Sequence, residues 1–322
     1  MAHAFNASMT STDSSSTRDR RALPEPSRSI ASPLFHAWRR LRARLQIRER
    51  QKIESKDRRA LLDGSTPIIQ DVYGYRFVVY SHHRSNVLDL ARHPTDRAEF
   101  EVIPRLVRRG DIAFDVGANV GLYSVLLSRL CGPRGRVWAF EPVPETYWRL
   151  RETLALNRCE NVAPVQAAVC DKDGMATMSL FDPGHAEWNT LGTPEVDPCG
   201  NQVQTLVSVQ VASRSLDEFC KNQKIDHINF LKVDVEGFEV SVFAGADKLL
   251  RDHRVDFLCF EISQRPLRSA GFSSRDVFAA LEAHGYAAYA LDRVNGMFRG
   301  PVHDTQEQWT NFFASPNDLR KI

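Results

Sequence analysis

The sequence has 322 residues, of which 43% are hydrophobic and 25% charged, and its formal net charge is +2. This is the composition of an ordinary globular protein with one substantial core, and so small a net charge gives no sign of a polyanionic partner. The six cysteines form no Cys-x-x-Cys pair and no cluster with histidine at zinc spacing, so we expect reduced thiols rather than a disulfide or zinc framework. No apolar run approaches the length of a membrane span and the N-terminus lacks a hydrophobic secretory core, which predicts a cytoplasmic protein.

The N-terminal part of the chain differs in composition from the rest. Residues 1–33 are rich in Ser, Thr, Arg and Pro and poor in large apolar side chains, so we expect a disordered tail. Residues 34–60 are dense in Arg and Lys, but four apolar residues recur at helical spacing and predict a basic amphipathic helix: Leu34, Trp38, Leu41 and Leu45. This helix would either dock on the domain or contact an anionic membrane surface or a partner. Residues 61–95 are predicted to form an entry subdomain with a β-hairpin at 68–80.

From residue 96 to 322, strand patterns alternate with helical patterns, which is typical of a single α/β domain built on a mostly parallel sheet. The predicted strands lie at 112–116, 136–141, 162–169, 175–181, 204–211, 228–234, 255–262, 286–291 and 309–314. The predicted helices lie at 96–108, 122–130, 145–156, 216–220, 238–250 and 273–284.

A glycine-containing turn follows the first of these strands. Gly117 and Gly121 bracket the turn, and because they lack a Cβ they let backbone amides approach a bound molecule at the start of the next helix. The spacing differs from the Gly-x-Gly-x-x-Gly pattern of dinucleotide sites, so no pyrophosphate is implied. Asp115 at the strand end suits a ligand with an amino group, which points to a cofactor that contains an amino acid. Alternatively, both glycines are ordinary turn residues without a ligand.

A second carboxylate, Glu141, closes the next strand. Dinucleotide folds place an acid at this position on the ribose hydroxyls, and ligands of open α/β sheets bind outside the carboxyl ends of the strands. Asp115 and Glu141 would therefore face one adenosine-bearing molecule. The alternative is that Glu141 is a solvated residue where Pro142 ends the strand.

Further candidate residues follow a later strand. Asp234 and Glu236 lie just past the strand predicted at 228–234, where Gly237 permits a sharp exit into a helix. A carboxylate in this position would orient or deprotonate a hydroxyl nucleophile. Alternatively, Glu236 and Glu239 only favour the start of the helix through its dipole, an interpretation that is strong for Glu239.

Other signals are less specific. Four histidines in predicted loops have the right chemistry for a general base, although each alone is more typical of a surface residue: His82, His83, His185 and His303. The segment 182–192 would be a lid over the substrate, with Trp188 as an aromatic platform, or a long surface loop. The sequence contains no Gly-x-Ser-x-Gly elbow, Walker lysine motif or His-Glu-x-x-His, which argues against common hydrolases, nucleotidases and zincins.

Taken in order, several motifs closely resemble the FkbM-type family of S-adenosylmethionine-dependent methyltransferases: 114–121, 140–142, Asn157 with Asn161, 231–239, 242–246 and 311–313. The resemblance covers about 96–314. It implies a class I methyltransferase fold, a Rossmann-like, doubly wound and mostly parallel sheet of seven strands with the last strand antiparallel. It also implies S-adenosyl-L-methionine as the cofactor and, as the usual acceptor, a hydroxyl of a sugar, polyketide or related natural product.

Site residues follow from the same resemblance, position by position. The implied contacts with the methionine part of the cofactor are Asp115, Gly117, Ala118, Asn119 and Gly121. Glu141, followed by Pro142, would bind the ribose, and Ala167, Ala168 and Asp171 would border the adenine. Asp234 and Glu236 match the acidic pair of the family and would be catalytic.

The sequence also allows two alternative functions and a possible metal site to be compared with this assignment. A nicotinamide-dependent oxidoreductase is disfavoured by the missing third glycine of its fingerprint. A non-catalytic binding protein on a methyltransferase fold, with the basic arm on RNA or membrane, is disfavoured by the intact Asp115, Glu141 and Asp234. We expect no metal, because Asp234 and Glu261 without further recognisable ligands make a weak site for a divalent ion.

Overall fold

The structure, a computed structural model, describes residues 68–79, 94–180, 191 and 207–322. The predicted disordered tail and basic amphipathic helix lie outside the described residues, as does nearly all of the candidate lid at 182–192. Within the part described, the helices are α1 (Pro94–Leu106), α2 (Leu122–Cys131), α3 (Pro144–Leu156), α4 (Leu216–Gln223), α5 (Glu239–Ala244), α6 (Asp247–Arg251), α7 (Gln264–Ser269) and α8 (Ser274–Glu282). None of these helices has the length and apolar character needed to cross a membrane.

The strands form three sheets. They are β1 (Ile68–Val72), β2 (Tyr75–Val79), β3 (Ile112–Val116), β4 (Arg136–Phe140), β5 (Val162–Val165), β6 (Ala168–Val169), β7 (Gly174–Leu180), β8 (Val207–Arg214), β9 (Ile228–Val233), β10 (Val255–Ser263), β11 (Ala287–Asp292), β12 (Met297–Arg299) and β13 (Trp309–Ser315). The central sheet has the order β12-β11-β13-β10-β9-β3-β4-β5. Strands β5, β4, β3, β9 and β10 pair in parallel, and β13 runs antiparallel between β10 and β11. The predicted α/β class and the antiparallel last strand are confirmed, and the short edge strand β12 makes eight strands where seven were expected.

The sheet is buried on both faces, which is why its parallel strands have nearly continuous apolar sequences. In β3, Phe114 and Val116 pack into the core on one face, while Ala113 packs with Val125 of α2 on the other. Each of these side chains is fully buried. Burying a large apolar side chain contributes roughly 1.5–3 kcal/mol, so the strands around the candidate site are rigid supports for it.

One predicted strand was wrong in its extent. The segment 162–169 is not continuous, because Ala167 N donates to Val165 O at 3.0 Å and forms a three-residue turn. Strand β5 therefore ends in the central sheet, whereas β6 joins a separate sheet of order β6-β8-β7. The sequence pattern cannot show this change of sheet, because both halves consist mainly of apolar residues that are typical of strands.

The helix predicted at 238–250 is also divided. It breaks between α5 and α6, where Ala246 leaves the helical conformation with φ −112° and ψ 17°. At the break, a Cβ on Gly245 would lie 2.0 Å from the carbonyl oxygen of Cys170, so the loop after β6 packs directly on the backbone here. Helix α7 and strand β12 were not predicted, because both are too short to give a periodic pattern.

The hairpin expected at 68–80 is confirmed as β1 and β2. Tyr73 and Gly74 at its turn have φ of 53° and 85°, as a two-residue hairpin turn requires. Its inner face contributes Val72 and Phe77 to a small apolar cluster with Val120 and Leu122. The hairpin therefore covers the outer side of the glycine turn at the start of α2.

Candidate active site

The glycine turn lies at the carboxyl end of β3 and is held by hydrogen bonds to the neighbouring strand. Gly117 N and Ala118 N donate to the carbonyl oxygen of Phe140 at 3.1 and 2.9 Å. Gly117 has φ +81°, and a Cβ there would lie 1.7 Å from the carbonyl oxygen of Asp234. No other residue fits at position 117, because the turn directly contacts the loop that follows β9.

Position 121 requires glycine for a different physical reason. Its φ is +95°, and a Cβ would lie 2.7 Å from Leu150 Cδ1 on α3. This glycine therefore permits close packing between α2 and α3. Both glycines serve contacts within the protein, and their contact with a ligand stays a prediction. The close approach at Gly117 brings the turn after β3 and the loop after β9 together beside an open space.

That space is a cavity of about 240 Å³ at the carboxyl ends of the central strands. Eight of the residues predicted for the site line it: Gly117, Asn119, Glu141, Pro142, Ala167, Ala168, Asp234 and Glu236. Its wall also contains Glu261 and, from the candidate lid, Leu191. The structure thus brings most of the predicted cofactor residues and both predicted catalytic acids together in one cavity.

Glu141 is a buried acid of the cavity wall that is held by two backbone hydrogen bonds. It is 6% exposed, and its two carboxylate oxygens accept hydrogen bonds from Asn119 N at 3.0 Å and Val143 N at 2.9 Å. Burial raises the pKa of Glu141 to about 7. The carboxyl group is fixed by two backbone amides, and each oxygen keeps a lone pair for a ligand hydroxyl.

The carboxylate of Asp115 contacts the protein itself and not the cavity. Its side chain is 1% exposed and accepts a hydrogen bond from Ser124 Oγ at 2.5 Å, so it faces α2 and is not among the residues of the cavity wall. Burial raises the pKa of Asp115 to about 6. Its direct contact with a ligand amino group stays a prediction.

Three further predicted contacts also lie outside the cavity wall. Ala118 is buried beneath the turn, Gly121 packs on α3, and Asp171 is exposed after β6. Of the four histidines, His303 forms a hydrogen bond with Glu282 on α8, whereas His82, His83 and His185 lie outside the described residues. No described histidine lines the cavity.

Opposite Glu141, the cavity contains a carboxyl cluster formed by Asp234, Glu236 and Glu261. One carboxyl oxygen from each of the three residues lies within 4.8 Å of the others. The turn that presents the first two has φ of 50° at Glu236 and 96° at Gly237. Burial, followed by the negative charges of Asp234 and Glu236, raises the pKa of Glu261 well above its ordinary value.

Glu239 holds that turn in place. It is 1% exposed at the start of α5, and its Oε1 accepts hydrogen bonds from Val235 N at 3.4 Å and Gly237 N at 3.3 Å. Burial raises the pKa of Glu239 to about 7. These contacts agree with the interpretation that Glu239 has a structural role at the start of the helix.

Lys232 is a functional candidate that the sequence analysis missed. Its side chain is fully buried in β9, and its Nζ lies 3.3 Å from Asp234 Oδ2 and 3.0 Å from Asn311 Oδ1. Burial, the largest single effect, opposes the charged form, but the acidic groups around Lys232, of which Asp234 has the largest effect, together raise the pKa of Lys232 above its ordinary value. The available signal was a lysine inside an apolar strand, because a buried ammonium group requires a charged partner.

The cation that compensates this cluster is therefore part of the chain. Three carboxyl groups at this spacing can surround a divalent ion in some proteins, but Lys232 already occupies one side of Asp234. Glu99 and Tyr123 extend the buried network, since Tyr123 donates to Glu99 and the Lys232 Nζ lies 5.0 Å from the Tyr123 ring centre. We assign no metal to the site, and its absence stays a prediction.

Several known proteins are similar in sequence to this chain over the region that contains the site. The model of the "Methyltransferase FkbM domain" family matches residues 115–288. The hexuronic acid methyltransferase AglP of Haloferax volcanii is 31% identical over 217 residues, which cover 66% of this chain and 78% of that protein. The 31-O-demethyl-FK506 methyltransferase FkbM of Streptomyces tacrolimicus is 30% identical over 215 residues, covering 56% and 82%. The 2-O-methyltransferase NoeI of Sinorhizobium fredii is 26% identical, covering 64% and 86%.

Solved structures are more distant. The TYW2 protein of M. jannaschii, whose structure was determined in complex with AdoMet, matches with a TM-score of 0.41 at 15% identity over 78% of this chain and 85% of that one. This similarity is too low to support an argument about the site. The family match includes the glycine turn, Glu141 and all three acids of the carboxyl cluster, and it spans more than half of the sequence. The protein is a member of the FkbM methyltransferase family.

Proposed function

We propose that this protein is an S-adenosylmethionine-dependent O-methyltransferase that acts on a hydroxyl group of a sugar, polyketide or related small molecule. The observation that carries the proposal is the single cavity that joins the glycine turn and Glu141 to the acids after β9. The relatives support the acceptor class, because their names specify a hexuronic acid, 31-O-demethyl-FK506 and a 2-O position.

The residues present fit the proposed cofactor. Glu141, held by Asn119 N and Val143 N, is oriented to accept hydrogen bonds from two ribose hydroxyls. Gly117 and Asn119 expose backbone beside it for the methionine part, and Ala168 borders the adenine. Asp115, Ala118, Gly121 and Asp171 would support this binding from outside the cavity wall. When bound, S-adenosylmethionine supplies a methyl group on a sulfonium centre, which is already an excellent leaving group.

Catalysis by the protein then consists of orientation and proton removal. Asp234 accepts the proton of the acceptor hydroxyl, and Lys232 fixes the carboxylate from below at 3.3 Å. Glu236, on the same turn, orients the acceptor through a hydrogen bond. Positioned general bases typically contribute a factor of about 10²–10⁴ to the rate.

Isothermal titration with S-adenosylmethionine and S-adenosylhomocysteine tests the cofactor assignment. We expect binding of both, and a folded protein that binds neither would end the proposal. A screen of hydroxylated sugars and polyketides with methyl-labelled cofactor then identifies the acceptor. Asp234→Asn should lower turnover by about 10²–10⁴ while the affinity for neutral S-adenosylhomocysteine is kept, whereas Asp226→Asn, with a fully exposed side chain, should change neither.

The environment of the protein is a separate part of the proposal. Five cysteines of the described region are buried free thiols, which supports a reducing compartment such as the cytoplasm: Cys131, Cys159, Cys170, Cys220 and Cys259.

We assign 96–322 to the methyltransferase domain, 61–95 to the entry segment and 34–60 to contact with the domain, a membrane surface or a partner. Co-sedimentation with anionic liposomes, with and without residues 1–60, distinguishes these contacts, and no binding by either protein would exclude the membrane.

A further inference from the structure

The wall of the cavity changes in chemistry from one side of Glu141 to the other. On the side of β3 and β9 it contains the glycine turn and the carboxyl cluster, whereas on the side of β5 and β6 it is mainly apolar. The larger apolar side chains of the second part are Val143, Val169, Met178 and Leu191. Because an aromatic ring gains from burial against apolar surface, this part of the wall suits the base of a nucleoside.

Met178 reaches this wall from a sheet that is separate from the central one. It lies on β7, which pairs with β8 in the order β6-β8-β7. Met178 is 7% exposed, whereas Met175 on the same strand is 65% exposed. The side chain of Met178 packs in one apolar cluster with Val143, Ala168 and Val211. Strand β7 therefore directs one methionine toward the cavity and the other toward solvent.

The order of the strands indicates which part of a ligand lies near Met178. Glu141 follows β4, the glycine turn follows β3 on one side, and Ala167 follows β5 on the other. Neighbouring strands are about 4.8 Å apart. A nucleoside whose ribose is held at Glu141 and whose 5′ arm extends to the glycine turn therefore places its base toward β5 and β6. Val143, whose N–H donates to Glu141 at 2.9 Å, lies at this junction and packs in the same cluster as Met178.

We propose that Met178 is a further cofactor-binding residue whose thioether packs on the adenine base, so that the sheet β6-β8-β7 supplies one wall of the cofactor site. This inference rests on the proposed function and extends it to a strand outside the central sheet. A thioether is polarisable and makes favourable contacts with aromatic rings, and an unbranched side chain adapts to the shape of a base. Adenine nucleosides make this contact with or without the amino-acid part of the cofactor.

Methyl NMR of the wild-type chain tests the contact directly. The chain has five methionines, so labelling with ¹³C-methyl methionine gives few signals, and Met178→Leu assigns the relevant one. Binding of S-adenosylhomocysteine should shift the Met178 signal, because the ring current of the base acts on a methyl group packed on it. 5′-Methylthioadenosine, which lacks the amino-acid part, should shift the signal in the same direction. The signals of Met175 and Met297, whose side chains are 65% and 47% exposed, should not move.

Met178→Ala tests the energetic contribution of the contact, and Val211→Ala is its matched control. Val211 on β8 is 5% exposed in the same apolar cluster, but it does not line the cavity. Both substitutions leave a gap in the cluster, so a loss of affinity through general loosening would appear in both variants. By calorimetry, we expect Met178→Ala to bind S-adenosylhomocysteine and 5′-methylthioadenosine about tenfold more weakly, while Val211→Ala stays within about twofold of the wild type. Met178→Leu keeps an apolar side chain of similar volume and should stay within about threefold.

The outcomes separate this inference from the proposed function. If the folded wild type binds neither S-adenosylmethionine nor S-adenosylhomocysteine, the proposed function is wrong, and this inference with it. If S-adenosylhomocysteine binds without a shift of the Met178 signal, or if Met178→Ala binds it as tightly as Val211→Ala does, the cofactor assignment stands and the contact of Met178 with the base is refuted. Because the methyl signal is measured on the wild type, the test holds even if Met178→Ala does not fold.

Discussion

Lys232 illustrates how one buried charge organises the acids of the site. It is completely enclosed by β9 and its neighbours, yet its ammonium group contacts Asp234 and Asn311 and lies near Tyr123. An isolated ammonium in a protein interior is strongly unfavourable, whereas a paired one fixes the geometry of its partners. The sequence motif pointed to Asp234 but not to the buried cation that contacts it.

Replacement of Lys232 should be costly because its partners would be left behind. In Lys232→Met, Asp234 and Glu99 lose their buried countercharge, and we expect a loss of about 3–5 kcal/mol in the free energy of unfolding. Urea denaturation measures it. Lys221→Met is the control, because that side chain is 72% exposed and its pair with Glu218 contributes little. Equal stability of the two variants would show that Lys232 does not hold the cluster together.

At the level of secondary structure elements, the site depends on the contact between the turn after β3 and the loop after β9. Gly117→Ala should disrupt it, because the added Cβ would meet the Asp234 carbonyl at 1.7 Å and the residue has φ +81°. We expect the two loops to separate, with loss of cofactor binding by calorimetry and a lower melting temperature.

A second glycine provides the control for backbone strain. Gly74 in the β1–β2 turn has φ +85° but no atom within 4 Å of an added Cβ. Gly74→Ala should therefore cost only about 1–2 kcal/mol of conformational strain and leave cofactor binding intact. If both variants bound the cofactor normally, the close approach at position 117 would not matter for the site.

The same elements show what could be predicted from sequence. The strand and helix around the glycine turn were predicted nearly to the residue, because apolar periodicity and turn chemistry are local signals. The break at 166–167 and the division at Gly245 were not predicted, since each depends on packing against distant backbone. Glu261 and Lys232 lie close together at the site because β9 pairs with β10, and this long-range pairing has no local sequence signal. Asp115 was correctly placed at the strand end, and the contact of its carboxylate with a ligand stays a prediction.

For the whole molecule, the buried acids make stability depend on pH. The pKa of Glu141 rises from 4.5 to about 7 in the folded protein, so the folded state binds this proton more tightly than the unfolded chain. Its contribution to stability is complete below about pH 4.5 and is lost as the pH rises through 7, a difference on the order of 3 kcal/mol. Asp115 and Glu239 act in the same direction.

Glu141→Gln isolates this effect, because the amide cannot ionise. Urea denaturation at pH 5 and pH 8 should show a smaller loss of stability with rising pH in Glu141→Gln than in the wild type, while Glu160→Gln, at an exposed carboxyl before β5, should follow the wild type. A variant whose pH dependence is identical to that of the wild type would contradict the assignment of a retained proton to Glu141.

The late position of β13 in the chain has a consequence for biosynthesis. Asn311, which holds the ammonium group of Lys232, lies on the strand inserted between β10 and β11. During translation, β4 and β9, which are followed by Glu141 and by the acids of the carboxyl cluster, emerge from the ribosome before β13. The nascent chain consequently cannot complete this charge network until β13 has been synthesised and has paired with β10.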